Sequence, residues 1–455
     1  MIKYYSTNKN SELISFKEAL INGQAPDKGL YLPEYIPQLS FTKIASMRNL
    51  PYREVAFWVT YQFLKEEIPE SVLRRIVKTA YNFKVPLEKV FGKVYLLRLD
   101  QGPTASFKDF AARIMAKLME YFTKQERRNL LILVATSGDT GSAVGNAFSG
   151  FKNIKMVILF PLKEVREKQR KQMTTLGRNI TALAVNGKFD DCQTMVKQAF
   201  TDPELRYLNL SSANSINIGR LLPQAAYYFY AYSRLAEEKE EVIFSVPSGN
   251  FGNLLGGLIA KRMGLPVLKF IAAVNENDEF PKFLETGKYE AIKPSRNCLS
   301  NAMNVGHPSN LARLIDLYGG QMDESGKINK MPDMNAIKKD IFSVSISDEE
   351  TRMTIKDVYQ KYRVILEPHG AVGFAALKKF LSQEKPSLTA ISLETANPGK
   401  FPEEMKKNLN LEIEIPKSLK GLENKKESFE ITSSDYQEFK KFLLKEYEIC
   451  FKRAF

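Results

Sequence analysis

One lysine, Lys108, lies where a strand-like segment gives way to a helix with an apolar face, within the stretch 104–113. Two strand–loop–helix units with glycine loops follow it, at residues 136–141 (TSGDTG) and 247–253 (PSGNFGN). A lysine in this position can condense with an aldehyde, and a glycine loop that opens a helix can bind a phosphate. The combination, rather than any one of these features, predicts an enzyme that uses pyridoxal 5'-phosphate.

The neighbours of Lys108 favour a reactive amine. Phe107 and Phe110 flank the lysine, and cations are unfavourable at the N-terminus of a helix. Apolar neighbours and the positive end of the helix dipole both lower the pKa of a lysine, which makes its amine nucleophilic. The alternative is an ordinary surface lysine near a helix start, which is what most lysines are.

The loop 247–253 has the composition of a phosphate-binding turn. Gly249 and Gly252 let the backbone turn and approach a ligand, and the helix that begins near Leu254 directs its free N–H groups toward the loop. The loop lacks the Gly-Lys-Ser/Thr of a nucleotide-binding P-loop and the GxGxxG of a dinucleotide site. A tight turn without a ligand is the alternative.

The loop 136–141 combines three hydroxyls with one carboxylate, that of Asp139. Hydroxyls and the amides of a helix N-terminus suit a carboxylate ligand such as that of an amino acid. The alternative is that Ser137, Asp139 or Thr140 caps the helix.

Strands and helices alternate in the region that must position these loops. The run 130–135 is continuously apolar, as in a strand buried on both faces. Further strands are expected at 94–99, 156–160, 180–185, 242–246, 269–274 and 389–393. This pattern predicts an α/β fold with two three-layer units and mainly parallel sheets. In such sheets ligands bind beyond the carboxyl ends of the strands, where each of these loops begins.

Three regions are expected along the chain. Residues 1–90 read as a mostly helical N-terminal domain, with helical spacing at 11–20 and 52–83. Residues 91–410 form the cofactor-binding region, with a smaller α/β unit inserted at about 130–225. Residues 411–455 form a charged extension with one late helix, near 436–451. A helix is also expected over 220–239.

The net charge of +14 over 455 residues favours an anionic partner. The densest basic stretch, 163–178, reads as a solvated helix face or as an attractor of a phosphorylated substrate, and it lacks the interleaved aromatics of a nucleic-acid site. Three distant cysteines and two histidines disfavour a disulfide framework and a metal site. No signal peptide and no run of ~20 apolar residues is evident, so we expect a cytoplasmic protein without nucleic-acid or membrane partners.

Several segments resemble the signature sequences of the threonine synthase family, fold-type II pyridoxal phosphate enzymes of the tryptophan synthase beta-like superfamily. They are QGPTASFKDFAAR, ATSGDTGSA, SSANSINIGR and VPSGNFGN. The start, YYSTNKNSELISFKEAL to APDKGLYLPE, is similar to the family's own N-terminal domain, which related dehydratases lack. The resemblance covers about residues 1–401.

The resemblance implies a role for each matching residue. Lys108 would form the Schiff base with the cofactor, Thr395 would hydrogen-bond to the pyridine nitrogen, and Asp139 would lie near the ring hydroxyl. The residues implied around the cofactor phosphate are Gly249, Asn250, Phe251, Gly252 and Asn253. The implied contacts to the substrate are Thr136, Ser137 and Thr140 for its carboxylate, and Asn217 and Arg220, with the helix near 168–171, for its phosphate.

The chain departs from the family pattern at two places. The family segment Thr-Ala-His-Pro-Ala-Lys-Phe is here Thr-Ala-Asn-Pro-Gly-Lys-Phe, with Asn397 and Gly399. Asn397 cannot titrate, which puts any acid–base role of that position in doubt. Lys28 replaces a glycine in the family's Asp-Gly-Gly-Leu and is expected at a surface turn.

The resemblance implies a carbon–oxygen lyase that converts O-phospho-L-homoserine and water to L-threonine and phosphate, the last step of threonine biosynthesis, as a monomer or homodimer and without a metal. A related γ-phospholyase would keep almost every motif, and a serine/threonine dehydratase would share the fold and the lysine. A basic anion-binding protein with a decayed site would explain the charge, but the intact Lys108, glycine loops and Thr395 argue against it.

Overall fold

Two mainly parallel β-sheets with helices packed on them dominate this computed structural model, which describes residues 1–384 and 387–452. The strands are β1 (Tyr4–Ser6), β2 (Tyr31–Pro33), β3 (Leu87–Phe91), β4 (Val94–Arg98), β5 (Leu130–Ala135), β6 (Ile154–Pro161), β7 (Ile180–Asn186), β8 (Leu210–Ser212), β9 (Val242–Pro247), β10 (Val267–Val274), β11 (Gln321–Met322), β12 (Ile328–Lys330), β13 (Ile341–Ser345), β14 (Ala390–Glu394) and β15 (Glu430–Ser433).

The helices are α1 (Phe16–Asn22), α2 (Phe41–Ala45), α3 (Tyr52–Leu64), α4 (Glu70–Ala80), α5 (Lys108–Gln125), α6 (Asp139–Phe148), α7 (Glu167–Thr174), α8 (Phe189–Thr201), α9 (Ile218–Leu221), α10 (Ala225–Leu235), α11 (Gly252–Arg262), α12 (Glu279–Thr286), α13 (Leu311–Leu317), α14 (Met334–Asp340), α15 (Asp348–Tyr362), α16 (Pro368–Glu384), α17 (Pro402–Leu409) and α18 (Tyr436–Lys452). Short 3-10 helices cover Pro203–Leu208, Leu222–Gln224, Asn301–Met303 and Pro398–Lys400.

The larger sheet has the strand order β13-β10-β9-β14-β4-β3, and all its pairs are parallel except β3 with β4. Strands β9 and β14 are neighbours at its centre and are buried along their whole length. Because parallel strands end at the same edge, the loop after β9 and the segment after β14 meet above this edge. The first carries the glycine loop and the second carries Thr395.

The smaller sheet has the order β15-β7-β6-β5-β8, with every pair parallel. Strand β5, which lies between β6 and β8, ends directly before the loop 136–138, which opens α6. The edge strand β15 comes from the C-terminal tail, and α18 packs Phe439, Leu443 and Tyr447 into the core of this unit. The tail is thus a structural part of the smaller unit.

The helices before residue 90 pack into the same hydrophobic core as the region that follows them. The ring of Tyr52 in α3 contacts Phe110 in α5 edge-on, with a centroid distance of 5.1 Å, and Tyr230 in α10 at 5.5 Å. Aromatic pairs of this geometry add to the free energy gained by burial. The helices before residue 90 therefore support α5, whose first residue is Lys108.

The alternation of strands and helices predicted from residue 94 onward is confirmed, and β5 covers the predicted range 130–135. The helix expected over 220–239 is interrupted by the 3-10 turn Leu222–Gln224 between α9 and α10, because Pro223 lacks an N–H group. The sequence did not predict the edge strands β3, β13 and β15 or the short β8, which lack a continuous apolar run.

Two further expectations concern the membrane and the cysteines. Among the helices that the structure describes, none has the length and apolarity to cross a bilayer. Cys192 and Cys298 are buried free thiols, whereas the side chain of Cys450 lies outside the described part of the chain. Burial raises the pKa of Cys192 to about 12, so this thiol is unreactive.

Candidate active site

Lys108 is presented by a tight loop that Asp109 holds in shape. The carboxylate of Asp109 accepts hydrogen bonds from the N–H and the hydroxyl of Thr104, both at 2.8 Å. A Cβ at Gly102 would lie 2.3 Å from Oδ2 of Asp109, so only glycine fits there. Ala105 has a φ of 54°, a left-handed conformation that costs about 1–2 kcal/mol for a residue with a side chain. This strained turn delivers Lys108 as the first residue of α5.

The lysine loop is bonded to the segment that follows β14. The N–H of Phe107 donates to the carbonyl of Thr395 at 2.8 Å, and the N–H of Asn397 donates to the carbonyl of Ala105 at 3.0 Å. These bonds join two segments that are far apart in sequence and fix Thr395 beside Lys108. Asn397 also caps the following 3-10 turn and donates to Asp100 at 3.0 Å, so it acts as a structural anchor here.

The amine of Lys108 lies in a cavity, and the side chain is only 14% exposed. Its Nζ is 4.0 Å from Oδ2 of Asp139. Burial lowers the pKa of Lys108 to about 8; Asp139 and Glu367 oppose this shift, while Lys400 and Arg220 add to it. A substantial fraction of this amine is therefore neutral near pH 8, as a nucleophile or a base requires.

Asp139 is the carboxylate that faces Lys108, and two other side chains hold it. Its Oδ1 is 2.6 Å from Nζ of Lys400 and accepts a 2.9 Å hydrogen bond from Nε2 of Gln169. Although burial alone would raise it, the charges of Lys400 and Lys108 hold the pKa of Asp139 well below its usual range. Asp139 is thus a permanent anion inside the site.

The loop after β9 offers a row of free donors. The backbone N–H groups of residues 249–253 have no protein acceptor within the described part of the chain. Phe251 has a φ of 61°, and a Cβ at Gly249 would lie 3.0 Å from the carbonyl oxygen of Ala302, so this loop is compact. Asn253 braces it by donating to the carbonyl of Pro247 at 2.7 Å. Unpaired amides at the start of a helix form a cradle for a phosphate, so this loop fits the cofactor that the sequence predicts.

The loop after β5 combines a cap with free hydroxyls. The hydroxyl oxygen of Thr136 accepts from the N–H groups of Gly138 and Gly141, both at 2.9 Å, so Thr136 is the residue that caps the start of α6. Its own hydrogen remains available to donate. The hydroxyls of Ser137 and Thr140 have no protein partner among the described residues. Three hydroxyl donors therefore face the cavity.

Arg220 is a buried cation that has no carboxylate partner among the residues that the structure describes. It is 4% exposed, and its Nη1 donates to the carbonyl of Ala213 at 2.7 Å. Its Nε has no partner in the described part of the chain, and no bond to Nη2 is present there either. Burial, partly offset by Asp109, lowers the pKa of Arg220 to about 10. A guanidinium in this state is a binding site for an anion.

Asn217 does not reach the cavity, contrary to the expectation from the sequence. Its amide donates to the carbonyls of Leu20 and Ser212, both at 2.8 Å, and its Oδ1 accepts from the N–H of Gly219. These bonds use the side chain to cap α9 and to anchor the N-terminal region. Asn217 thus orients the helix that carries Arg220 and has no donor left for a phosphate.

The basic helix α7 also differs from the expectation. Arg170 pairs with both carboxylate oxygens of Glu427 at 2.9 and 3.0 Å, and Nζ of Lys171 donates to the carbonyl of Glu423. Both cations therefore contact the C-terminal tail. The side chains that α7 sends toward the site include Gln169, which donates to Asp139, and Gln172, which donates to the carbonyl of Thr104.

A buried acidic network lies behind Thr395. Glu367 accepts from the Thr395 hydroxyl at 3.4 Å, from Nδ1 of His369 at 2.5 Å, and from the N–H groups of His369 and Gly370 at 2.8 Å. Burial and the adjacent Glu367 raise the pKa of Glu394 well above its usual range. The imidazole Nε2 of His369 accepts from the N–H of Ala302, which packs against Gly249.

One cavity of about 520 Å³ collects these groups. Its lining lacks Asn217 and the residues 168–171 but includes the other predicted site residues: Lys108, Thr136, Ser137, Asp139, Thr140, Arg220, Gly249, Asn250, Phe251, Gly252, Asn253 and Thr395. The sequence did not single out Gln169, Glu367, His369 or Lys400. Lys400 stands in the same segment as Thr395, and His369 is one of only two histidines, which are the signals that could have found them.

Family models match nearly the whole chain. The model described as "Pyridoxal-phosphate dependent enzyme" matches residues 79–392. "Threonine synthase N terminus" matches residues 3–81, and "Threonine synthase, C-terminal" matches residues 370–443.

Curated and solved proteins agree with these matches. The chain is 41% identical over 446 residues to a threonine synthase of Haemophilus influenzae, covering 97% of this chain and 99% of the relative. Pyridoxal phosphate-bound threonine synthase from Brucella melitensis superposes with a TM-score of 0.90 at 35% identity, covering 97% and 99% of the two chains. Threonine synthase from Escherichia coli gives a TM-score of 0.88 at 37% identity, with the same coverage.

Proposed function

The chain belongs to the threonine synthase family of pyridoxal phosphate enzymes, and on that premise we propose that the cavity around Lys108 is its active site. The reaction is the conversion of O-phospho-L-homoserine and water to L-threonine and phosphate, a carbon–oxygen lyase reaction of amino-acid biosynthesis. The observation that carries the assignment to this cavity is the convergence in it of a buried amine, a row of unpaired amides and an unpaired guanidinium.

The cavity has a separate place for each end of the cofactor. The N–H groups of residues 249–253 would hold its phosphate, and Lys108 would bond to its aldehyde carbon. Asp139 and Thr395 would face the ring hydroxyl and the ring nitrogen. When bound, pyridoxal phosphate supplies an electron sink for negative charge that forms on the substrate carbons.

Lys108 is the base that we propose for the α-proton of the substrate. With a pKa of about 8, its amine is partly neutral at physiological pH and can both take up and return a proton. Matching the pKa of a base to the working pH gives the most efficient proton transfer. Asp139 stays anionic over the same range and serves as a fixed charge.

The carboxylate and the phosphate of the substrate would contact different hydrogen-bond donors. The hydroxyls of Thr136, Ser137 and Thr140 would bind its carboxylate, and the free N–H groups of Arg220 would bind its phosphate. A cation held in place before the substrate arrives stabilises the negative charge that develops on a departing phosphate, and it does so without reorganisation.

The test is to express the Lys108→Ala variant beside Lys124→Ala, a matched control at an exposed position of the same helix. We expect the wild-type and control proteins to be yellow, to release phosphate from O-phospho-L-homoserine and to form threonine. The Lys108→Ala protein should lack the yellow colour, release no phosphate and form no threonine. A Lys108→Ala variant that kept the colour and formed threonine would refute the assignment.

The same assay separates the rival functions. Phosphate release without threonine would favour another γ-phospholyase, and ammonia release from threonine would favour a dehydratase. A colourless wild-type protein in excess cofactor would favour an anion-binding role. Solved threonine deaminase from Solanum lycopersicum shares only the fold, with 16% identity and a TM-score of 0.53.

We extend the proposal to the setting of the enzyme. It would act in the cytoplasm as a monomer or homodimer and bind no nucleic acid, since the cations Arg170 and Lys171 of its basic helix are engaged with the tail. The division into residues 1–90, 91–410 with an inserted unit at about 130–225, and 411–455 also remains a proposal.

A further inference from the structure

Lys400 is a buried lysine that the proposed function does not yet use. Its side chain is 2% exposed and lies outside the lining of the cavity. Its Nζ has two partners, Oδ1 of Asp139 at 2.6 Å and the carbonyl of Thr104 at 3.3 Å. It therefore touches both the carboxylate that faces Lys108 and the loop that presents Lys108. Burying an ammonium group is costly, so a lysine in this position calls for a reason.

The two oxygens of Asp139 are divided between two lysines. Oδ1 is taken by Lys400 and by the amide of Gln169, whereas Oδ2 faces Lys108 across 4.0 Å, beyond hydrogen-bond distance. An opposite charge within about 4–6 Å raises the pKa of a lysine, and a closer approach of this carboxylate would raise it further and keep the amine protonated. The carboxylate is thus held back from the amine by partners on its other side.

We propose that Lys400 is a positioning residue that anchors Asp139 and offsets its negative charge, so that the amine of Lys108 stays free to react. The inference rests on the proposed role of Lys108 and adds a second lysine that acts through Asp139. Lys400 lies in the 3-10 turn Pro398–Lys400, five residues after Thr395, so the segment after β14 would set both the ring contact and the state of the amine.

The charged groups that face Lys108 come from four places in the fold. Asp139 at the start of α6 and Glu367 before α16 favour the ammonium form, whereas Lys400 and Arg220 in α9 favour the neutral amine. Removing Lys400 deletes one of the two cations and frees Oδ1 of Asp139 at the same time. Both effects favour the ammonium form of Lys108.

The experiment measures the amine directly. Full-length protein freed of cofactor is treated with an amine-specific acylating reagent over a range of pH, and modification of Lys108 is quantified by peptide mass spectrometry. In Lys400→Met we expect the midpoint to rise by about one pH unit or more, because a close opposite charge shifts a pKa by about 1–3 units. Below the midpoint this means a roughly tenfold slower modification.

Two further variants make the result specific. In the double variant Lys400→Met/Asp139→Asn, we expect the midpoint to return to the wild-type value or below it, since the pull of the carboxylate is gone. Asp139→Asn alone leaves Lys400 unpaired and should lower the midpoint, which keeps the test decisive if Lys400→Met does not fold. Circular dichroism at each pH shows which variants are folded.

An unchanged midpoint in Lys400→Met, or an equal shift in the single and double variants, would show that Lys400 only supports the loop and would overturn the inference. So would an unchanged midpoint in Asp139→Asn. The readout contains no cofactor and no substrate. A failure of the proposed function, seen as wild-type protein that forms no threonine, is therefore distinguishable from a failure of this inference.

Discussion

Replacing Arg220 with methionine should make the protein more stable and, at the same time, much weaker in binding phosphate. Both expectations come from the same feature, a buried guanidinium with one protein hydrogen bond and no carboxylate partner. A side chain that destabilises the protein when its site is empty but is needed to bind the ligand is typical of a binding residue. A structural arginine should behave in the opposite way.

The stability change follows from the cost of burying the charge. The pKa of Arg220 falls from 12.5 to about 10, chiefly through burial. At about 1.36 kcal/mol per unit, the charged form costs the fold about 3 kcal/mol at neutral pH. Loss of the bond from this charged group to Ala213 removes about 1.5–3 kcal/mol of stabilisation, which leaves a net gain of up to about 2 kcal/mol in the variant.

The binding change follows from the donors that Arg220 offers. Its free Nε and Nη2 can donate to two phosphate oxygens, and each hydrogen bond to a charged group contributes about 1.5–3 kcal/mol. Losing both costs at least about 3 kcal/mol. That corresponds to a 100-fold or greater loss in phosphate affinity, and to a similar rise in KM for the phosphorylated substrate.

The assay is urea unfolding of protein loaded with pyridoxal phosphate, with and without inorganic phosphate. Loading fills the glycine loop, so added phosphate reports on Arg220 alone. At 100 times its Kd, phosphate should stabilise the wild type by about 2.7 kcal/mol, and Arg220→Met should gain almost nothing.

A second buried arginine supplies the matched control. Arg313 donates to the carbonyls of Tyr31, Ser215 and Ile216 and to Asn310, so four of its five N–H groups are paired. Arg313→Met should destabilise the protein, because those bonds together outweigh the burial cost. If Arg220→Met lost as much stability as Arg313→Met and still bound phosphate, Arg220 would be structural and the reasoning wrong.

Three further outcomes are expected. Cofactor uptake by cofactor-free protein should accelerate as the pH rises through about 8, because only the neutral amine of Lys108 condenses with an aldehyde. Stopped-flow absorbance measures this rate, and a rate that does not change with pH would contradict the expectation. His369→Phe should weaken cofactor retention roughly tenfold, whereas His369→Gln keeps an acceptor for the Ala302 N–H; equal retention in dialysis would refute this role. Glu427→Gln should lower the free energy of unfolding in urea by about 1–2 kcal/mol, because it weakens the half-buried pair with Arg170. A loss of less than about 0.5 kcal/mol would show that the pair does not stabilise the protein.

The parts of the site that the sequence predicts are those built from contiguous residues at strand ends. Lys108 and the loops 136–141 and 247–253 each follow a strand, so the topology alone brings them to one edge. Asn217 shows the limit of that reasoning. An asparagine before a helix can cap it or face a ligand, and the local sequence does not distinguish the two.

Long-range partners could not be found in this way. Lys400 and Asp139 are separated by 261 positions and meet only because the two sheets place α6 beside the segment after β14. The pairing of Glu427 with Arg170, across 257 positions, is of the same kind. Each is a contact between charges that look ordinary in the sequence. Only the fold shows that the first is buried and the second is half-buried.

The excess of positive charge illustrates the difference between an attractive surface and a binding site. Charges exposed to solvent are screened within about 8–10 Å and contribute little affinity individually. Helix α7, the densest basic stretch, commits Arg170 and Lys171 to the C-terminal tail. Arg220 is a single cation, but it is removed from water and left without a counter-ion. If Arg220 binds the substrate phosphate as proposed, recognition depends on which charge the fold buries without a counter-ion, and the net charge of the chain does not reveal it.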